Sequence, residues 1–359
     1  MAEPVLQIFA GPRARQHLRE RGLSPIDVRV VPAAAGGPKG LVLNAIDRLL
    51  FGQWLPARGE PVHLLGASIG AWRMACAASG DPDRAFARLA HDYIHQRFEV
   101  PAGALPDAAE VSRVFRAMLR EHFGGREAAL LTHPRYRLHV FTSRGRGPLF
   151  RREGRWRTPL GYLGAVAGNL AHRRRGLGAW IERVVFADAR TPLPFPLDDL
   201  PGRQVALTAA NLGEALVASG SIPFVLQAVH DIPGAPRGAY WDGGITDYHL
   251  HLRYGSMADG LVLYPHFQRS VVPGWLDKPL RHRHAATPWL DNVVLLVPHP
   301  AWVATLPGAK LPDRQDFRTF RHDPAERIRR WQQAVDESGR LAEALHGLLR
   351  RPSLDALAL

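Results

Sequence analysis

The stretch from Val62 to Trp72 constrains the fold more than any other part of the chain. Val62-His63-Leu64-Leu65 is a short apolar run, Gly66-Ala67-Ser68-Ile69-Gly70 is a turn flanked by glycines, and a helical pattern follows. The turn fits G-x-S-x-G, in which a serine sits on a sharp strand-to-helix reversal. Side chains two residues before and after such a serine would collide, and Gly66 and Gly70 remove both. The reversal lifts the hydroxyl above the sheet edge. The start of the helix then aims N–H groups at any negative charge that forms nearby. Taken alone, G-x-S-x-G recurs by chance, so chemistry at Ser68 requires a base and an anion-stabilising loop elsewhere in the chain.

Upstream, Asp27-Val28-Arg29-Val30-Val31-Pro32 alternates like a strand and runs into the loop Ala33-Ala34-Ala35-Gly36-Gly37-Pro38-Lys39-Gly40. A helix over Leu41–Trp54 follows, with Leu43, Ile46, Leu50 and Trp54 near one face. Strand–loop–helix twice in succession predicts an α/β fold, three layers α/β/α with a largely parallel central sheet. Further strands are expected at Arg137–Thr142, Gly238–Asp242, Gly260–Tyr264 and Asn292–Val297; Trp180–Phe186 reads as a strand or a helix end. Helices are expected over Asp83–Phe98, Glu110–Phe123, Leu160–Leu170, Leu212–Ser219 and a long Pro324–Arg350. Three glycine-marked turns, at Gly36-Gly37, around Ser68 and at Asp242-Gly243-Gly244, each follow a predicted strand. In a parallel sheet all three reach the carboxyl edge, where α/β folds place ligands.

These turns, in this order, resemble those of the patatin-like phospholipase family. That family combines a D-G-G-G-x-[R/K]-G oxyanion loop, a G-x-S-x-G elbow and a D-G-[G/A] turn carrying the second catalytic residue. Here the loop is Ala34-Ala35-Gly36-Gly37-Pro38-Lys39-Gly40, the elbow surrounds Ser68, and the third turn begins at Asp242. Ala218-Ser219-Gly220-Ser221-Ile222-Pro223-Phe224 is similar to the small-residue helix end that precedes the aspartate turn. The resemblance spans residues 27–250, a motif-bearing core within a single domain over 1–359, with a C-terminal extension over 265–359.

It implies a serine esterase or lipid acyl hydrolase of phospholipase A type. Ser68 would be the nucleophile, Asp242 the general base, and backbone amides of Gly36, Gly37 or Lys39 the oxyanion hole; Gly40, Gly66, Gly70, Gly243 and Gly244 shape the turns. The substrate would be a phospholipid or another acyl ester, with no cofactor and no metal. Three departures stand out. Ala34 and Ala35 replace the usual Asp and first Gly, Pro38 has no N–H to donate, and Tyr248-His249 stands where the family often has Asn-Pro.

Two other readings stay open. His299 could complete a Ser…Asp…His order as in α/β-hydrolases, and the chain could be a non-catalytic Arg-rich binder of lipid or nucleic acid. The net charge of +13 prompts the latter, yet only three of the 46 basic residues are lysines and no nucleic-acid-binding signature accompanies them. No nucleic acid is expected as partner. His249-x-His251 and His282-x-His284 lack a metal-site spacing. The single cysteine, Cys76, leaves no internal disulfide and reads as a small buried side chain. A basic leader and any run of about 18 apolar residues are missing, so a cytoplasmic protein is expected. Arg144–Arg175 carries many arginines beside the apolar helix Leu160–Leu170, the pattern of a peripheral contact with an anionic membrane.

Overall fold

The computed structural model describes residues 4–101, 104–147, 154 and 156–359. Arg151, Arg152, Glu153 and Arg155 of the arginine-rich segment therefore lie outside the described residues. Among the described residues, eleven strands form one mixed, mostly parallel sheet: β1 Leu6–Ala10, β2 Val28–Ala33, β3 Val62–Ala67, β4 Tyr136–Gly145, β5 Ile181–Ala187, β6 Gly202–Ala206, β7 Val229–His230, β8 Ala239–Asp242, β9 Leu261–Pro265, β10 Val293–Pro298 and β11 Leu357–Ala358. Their order is β11-β1-β10-β9-β2-β3-β4-β5-β6, with β8 added to β4 and β7 to β8. The run β10-β9-β2-β3-β4 is parallel throughout.

The central strands are buried on both faces, which is why they read as continuous apolar runs. Successive side chains still alternate. Val31 and Leu64 join one core with the helices Ile69–Ala77, Pro82–His95 and Leu212–Gly220; Val30, Leu65 and Phe141 join a second core with residues 248–272. Helices flank the sheet as an α/β fold requires. Residues beyond 260 are woven into it, since β9 and β10 stand between β2 and β1.

Several elements differ from their sequence reading. The single helix over Leu41–Trp54 is three joined turns, a 3-10 helix Gly37–Leu43, an α-helix Asn44–Leu49 and a π-helix Leu50–Trp54. The long C-terminal helix breaks at Ser338 into Pro324–Glu337 and Gly339–Leu349. Leu160–Leu170 belongs to a longer helix, Arg157–Gly178, kinked at His172 and Arg173, where Arg173 takes φ 50°. Trp180–Phe186 resolves as strand β5. The largest correction concerns β8, which runs antiparallel to β4. Among the described residues no helix is long and apolar enough to cross a membrane.

Candidate active site

β3 ends at Ala67 and the helix Ile69–Ala77 starts one residue later, leaving Ser68 alone in the reversal at φ 58°, ψ −130°. Left-handed backbone at a residue with a Cβ costs about 1–3 kcal/mol and persists only where its surroundings enforce it. The two glycines act at different contacts. A Cβ on Gly66 would lie 2.3 Å from Cα of Ala71, inside the elbow itself. One on Gly70 would lie 1.9 Å from the carbonyl oxygen of Ala33, so Gly70 lets the helix press against the end of β2. The Ser68 amide donates to Oγ of Ser219 at 2.9 Å, and that hydroxyl donates to the carbonyl of Phe141 at 2.7 Å.

Asp242 reaches the same point from the opposite direction. β3 pairs with β4 as far as Ala67 opposite Phe141, and β8 pairs with Asp242 opposite Thr142. Asp242 thus occupies the place on β4 that β3 would fill if it continued past the elbow. Ser68 Oγ donates to Oδ2 of Asp242 at 2.7 Å, and the Gly244 amide donates to Oδ1 at 2.7 Å. The carbonyl of Ser221 accepts the Asp242 amide at 2.8 Å. Gly243 is required because a Cβ would stand 2.1 Å from the Phe141 carbonyl. Both Ser68 and Asp242 are buried. Burial raises the Asp242 carboxyl above the ordinary aspartate range, against the pull of Arg314 and of the hydrogen bonds from Ser68 and Gly244. That direction suits a base, since a carboxylate near its unperturbed value holds a proton weakly.

Behind the aspartate turn, Arg183 donates through Nε to Asp247 at 2.7 Å and through Nη1 to Asp199 at 2.7 Å. Arg174 joins both carboxylates and also donates to the carbonyl of Thr246 at 2.9 Å. This buried group fixes the short helix Gly244–Asp247 that continues from Asp242. It also turns Arg174 inward, so only its neighbours Arg173 and Arg175 face solvent.

The loop Gly36-Gly37 forms the third side. Tyr248 accepts the amide of Ala35 through its carbonyl at 2.9 Å, tying the loop to the segment after the aspartate turn. Gly37 takes φ 57°, and Arg314 lies directly over it: a Cβ there would be 3.1 Å from Arg314 Nε. Gly36 and Asp242 line one cavity of about 260 Å³, together with Ile222, Pro223, Lys278 and Arg314. A hydroxyl bonded to a desolvated carboxylate, beside a glycine loop at a cavity wall, is equipment for acyl transfer.

The family model for patatin-like phospholipases matches residues 36–249. The chain belongs to that family. It is accordingly a serine lipid acyl hydrolase, and its substrates are acyl-ester lipids. Comparison with curated proteins returns no match. The matched residues contain all three glycine-marked turns, whereas Lys278 and Arg314 fall beyond them and still border the patatin-like cavity.

The structure brings Gly36, Ser68 and Asp242 together as the sequence suggested. His299 is used otherwise: its Nδ1 accepts the Ala301 amide at 3.0 Å and caps the helix Pro300–Thr305. His249 Nδ1 accepts the amide of Val272 at 3.0 Å, and His284 Nε2 sits 2.9 Å from the carbonyl of Asp277. Among the described residues no histidine hydrogen-bonds to Ser68 or Asp242. Sequence reasoning missed Arg314 and Lys278 altogether, and it missed that Ser219 holds the elbow. Cys76 is fully buried, its thiol pushed up by that burial.

Proposed function

We propose that Ser68 and Asp242 carry the hydrolysis as a two-residue centre, without a histidine. As Ser68 Oγ attacks the ester carbonyl, its proton passes to Oδ2 of Asp242 along the existing hydrogen bond. The carbonyl oxygen becomes an oxyanion facing the Gly36 and Gly37 amides, neither of which donates to a protein acceptor among the described residues. Lys39 is the third residue of the 3-10 turn, where its amide bonds back to the cap carbonyl, so it is the weaker candidate. Collapse of the tetrahedral state breaks the C–O bond, and the departing alcohol takes the proton from Asp242. Water then attacks the acyl-Ser68 ester while Asp242 accepts its proton, and the serine is regenerated with release of the carboxylic acid. One oxyanion donor contributes about 3 kcal/mol to such a transition state.

The observation that carries this reading is the 2.7 Å bond between Ser68 Oγ and a carboxylate deprived of water. Substrate arrives from a lipid surface. Leu160, Leu163, Val166 and Leu170 stand on one face of the helix Arg157–Gly178 and are all exposed, Leu163 by 65%. Phe224, exposed by 60%, lies beside that helix with its ring 5.6 Å from Tyr162, one residue beyond the cavity wall at Pro223. Exposed Arg173 and Arg175 at the helix end suit an anionic bilayer. The single buried cysteine fits action in the cytoplasm, and strands β9 and β10 make residues 261–298 part of the same working unit.

Hydrolysis of p-nitrophenyl butyrate tests the centre. Ser68→Ala and Asp242→Asn should each lose roughly a thousandfold or more in kcat while keeping the wild-type circular dichroism spectrum. A fluorophosphonate should label Ser68. Full activity in either variant would refute the assignment.

A further inference from the structure

The cavity beside Ser68 has two unlike flanks. Ile222, Pro223 and Ile245 form an apolar side that leads to Phe224 and the exposed helix face. The other side carries Lys39, Lys278 and Arg314. The buried guanidiniums Arg73 and Arg183 are each neutralised by a carboxylate, Asp47 and Asp247. Lys39 is half-buried, Lys278 and Arg314 are exposed at the cavity rim, and among the described residues no carboxylate lies within ion-pair distance of any of the three. Lys39 Nζ stands 5.5 Å over the Phe267 ring, Lys278 Nζ stands 4.2 Å over Tyr248, and Arg314 rests on Gly37. Of the two acids on the wall, Asp242 is bonded to Ser68 and Gly244, and Asp313 is engaged by Lys310 at 2.8 Å.

Partial burial, then the charges of Arg314 and Lys39, pull the Lys278 ammonium down to about 8. Lys39 is lowered by burial too, against the pull of Asp313. Three cations gathered at one wall, with Asp242 and Asp313 acting on them only beyond ion-pair distance, repel one another, and a bound anion would relieve that repulsion. An ammonium pair and a guanidinium suit the oxygens of a phosphoryl group.

We infer that Lys39, Lys278 and Arg314 form a phosphate subsite that holds the glycerophosphate part of a lipid while its acyl ester meets Ser68. The assignment rests on the Ser68–Asp242 reading for its orientation. Acyl chain lies toward Phe224, phosphoryl group toward the cations, and the ester between them. Two of the three residues belong to the segment beyond 249, so selectivity for a phosphorylated substrate is supplied from outside the matched patatin-like region.

Calorimetric titration of the full chain carrying Ser68→Ala, which cannot turn substrate over, tests it with three probes: glycerol 3-phosphate, inorganic phosphate and glycerol. Glycerol 3-phosphate should bind and glycerol should not. Adding Lys278→Met and Arg314→Gln together should weaken glycerol 3-phosphate by about tenfold or more, since charge-assisted hydrogen bonds are lost. Lys278→Arg should retain affinity, and an unchanged melting temperature certifies the fold of each variant. Equal binding with and without the two cations, or no binding of glycerol 3-phosphate at all, would overturn the subsite. Inorganic phosphate binding as tightly as glycerol 3-phosphate would make this a free-anion site and overturn the lipid assignment. Failure of a fluorophosphonate to label Ser68, with glycerol 3-phosphate still bound, would remove the catalytic reading and leave the anion site standing.

Discussion

Ser219 holds the amide of Ser68 through its hydroxyl, 2.9 Å away, across 151 residues of sequence. The same hydroxyl is anchored to Phe141 on β4, and the Ser219 carbonyl accepts the amide of Gly243 at 3.1 Å. One residue thus ties the strained elbow, through its hydroxyl, to β4 and, through its carbonyl, to the turn that carries the carboxylate. Ser219→Ala leaves the Ser68 amide buried without an acceptor and should destabilise the fold by about 1–3 kcal/mol. It should lower kcat with little change in KM, because Ser219 acts on the placement of Ser68 and touches no substrate. A steady-state analysis showing KM alone altered would contradict this role.

Asp242→Asn should make the protein more stable as it makes it inactive. Burial raises the folded-state pKa of Asp242 above its unfolded value. The folded chain therefore binds the extra proton between those two values, and stability falls as pH rises through that window. Above it the charged carboxylate exerts its full penalty; below it the penalty vanishes. Thermal melts should show the asparagine variant above wild type at pH 8, with the gap closing in acid. The acid limb of kcat/KM should likewise sit above the ordinary aspartate value near 4.

Acid should loosen the sheet at its centre. His63 on β3 and His139 on β4 share a buried contact, Nδ1 to Nε2 at 3.0 Å. Burial lowers both, His63 to about 4. The unfolded chain takes up protons near 6.5 and the folded one does not, so stability is complete above 6.5 and falls as pH drops toward 4. Urea midpoints at pH 7 and pH 5 should differ clearly in wild type and differ less in His63→Gln.

Gly70→Ala should be among the most damaging single methyl additions. Its Cβ would meet the Ala33 carbonyl at 1.9 Å, and backbone on both sides must move to admit it. A loss of about 3 kcal/mol or more is expected by chemical denaturation, together with lost fluorophosphonate labelling of Ser68.

Leu163→Glu and Leu170→Glu should each reduce sedimentation with phosphatidylglycerol vesicles by about tenfold or more, because one leucine withdrawn from an interface forfeits ~1.5–3 kcal/mol. Unchanged vesicle binding in both would remove this helix from the lipid contact.

Much of the centre was legible because its parts are local. A strand, a glycine pair and a helix start lie within a dozen residues at Ser68, and the same is true at Gly36. What the sequence hid is long-range. The antiparallel course of β8 has no local signal, since Gly238–Asp242 reads as a short strand whichever way it runs. Arg314 and Lys278 were invisible for the same reason: nothing near them in the chain announces the cavity that they reach. The break at Ser338 was readable in principle, because Gly339 sits inside an otherwise periodic helix. The kink at His172 and Arg173 was not, because neither residue is a breaker.

Because Ala67 and Asp242 face adjacent residues of β4, Phe141 and Thr142, the spacing between nucleophile and base is written into one strand. Of the ninety-odd residues between β4 and β8, Ser219 and Ser221 brace that junction through the amides of Ser68, Gly243 and Asp242. The exposed stretch Leu160–Leu170 makes none of these bonds, so it can be exchanged, and a new lipid-facing surface grafted, without re-measuring the reaction centre. A single residue inserted within β4 at this junction has the opposite effect, swinging one partner to the far face of the sheet.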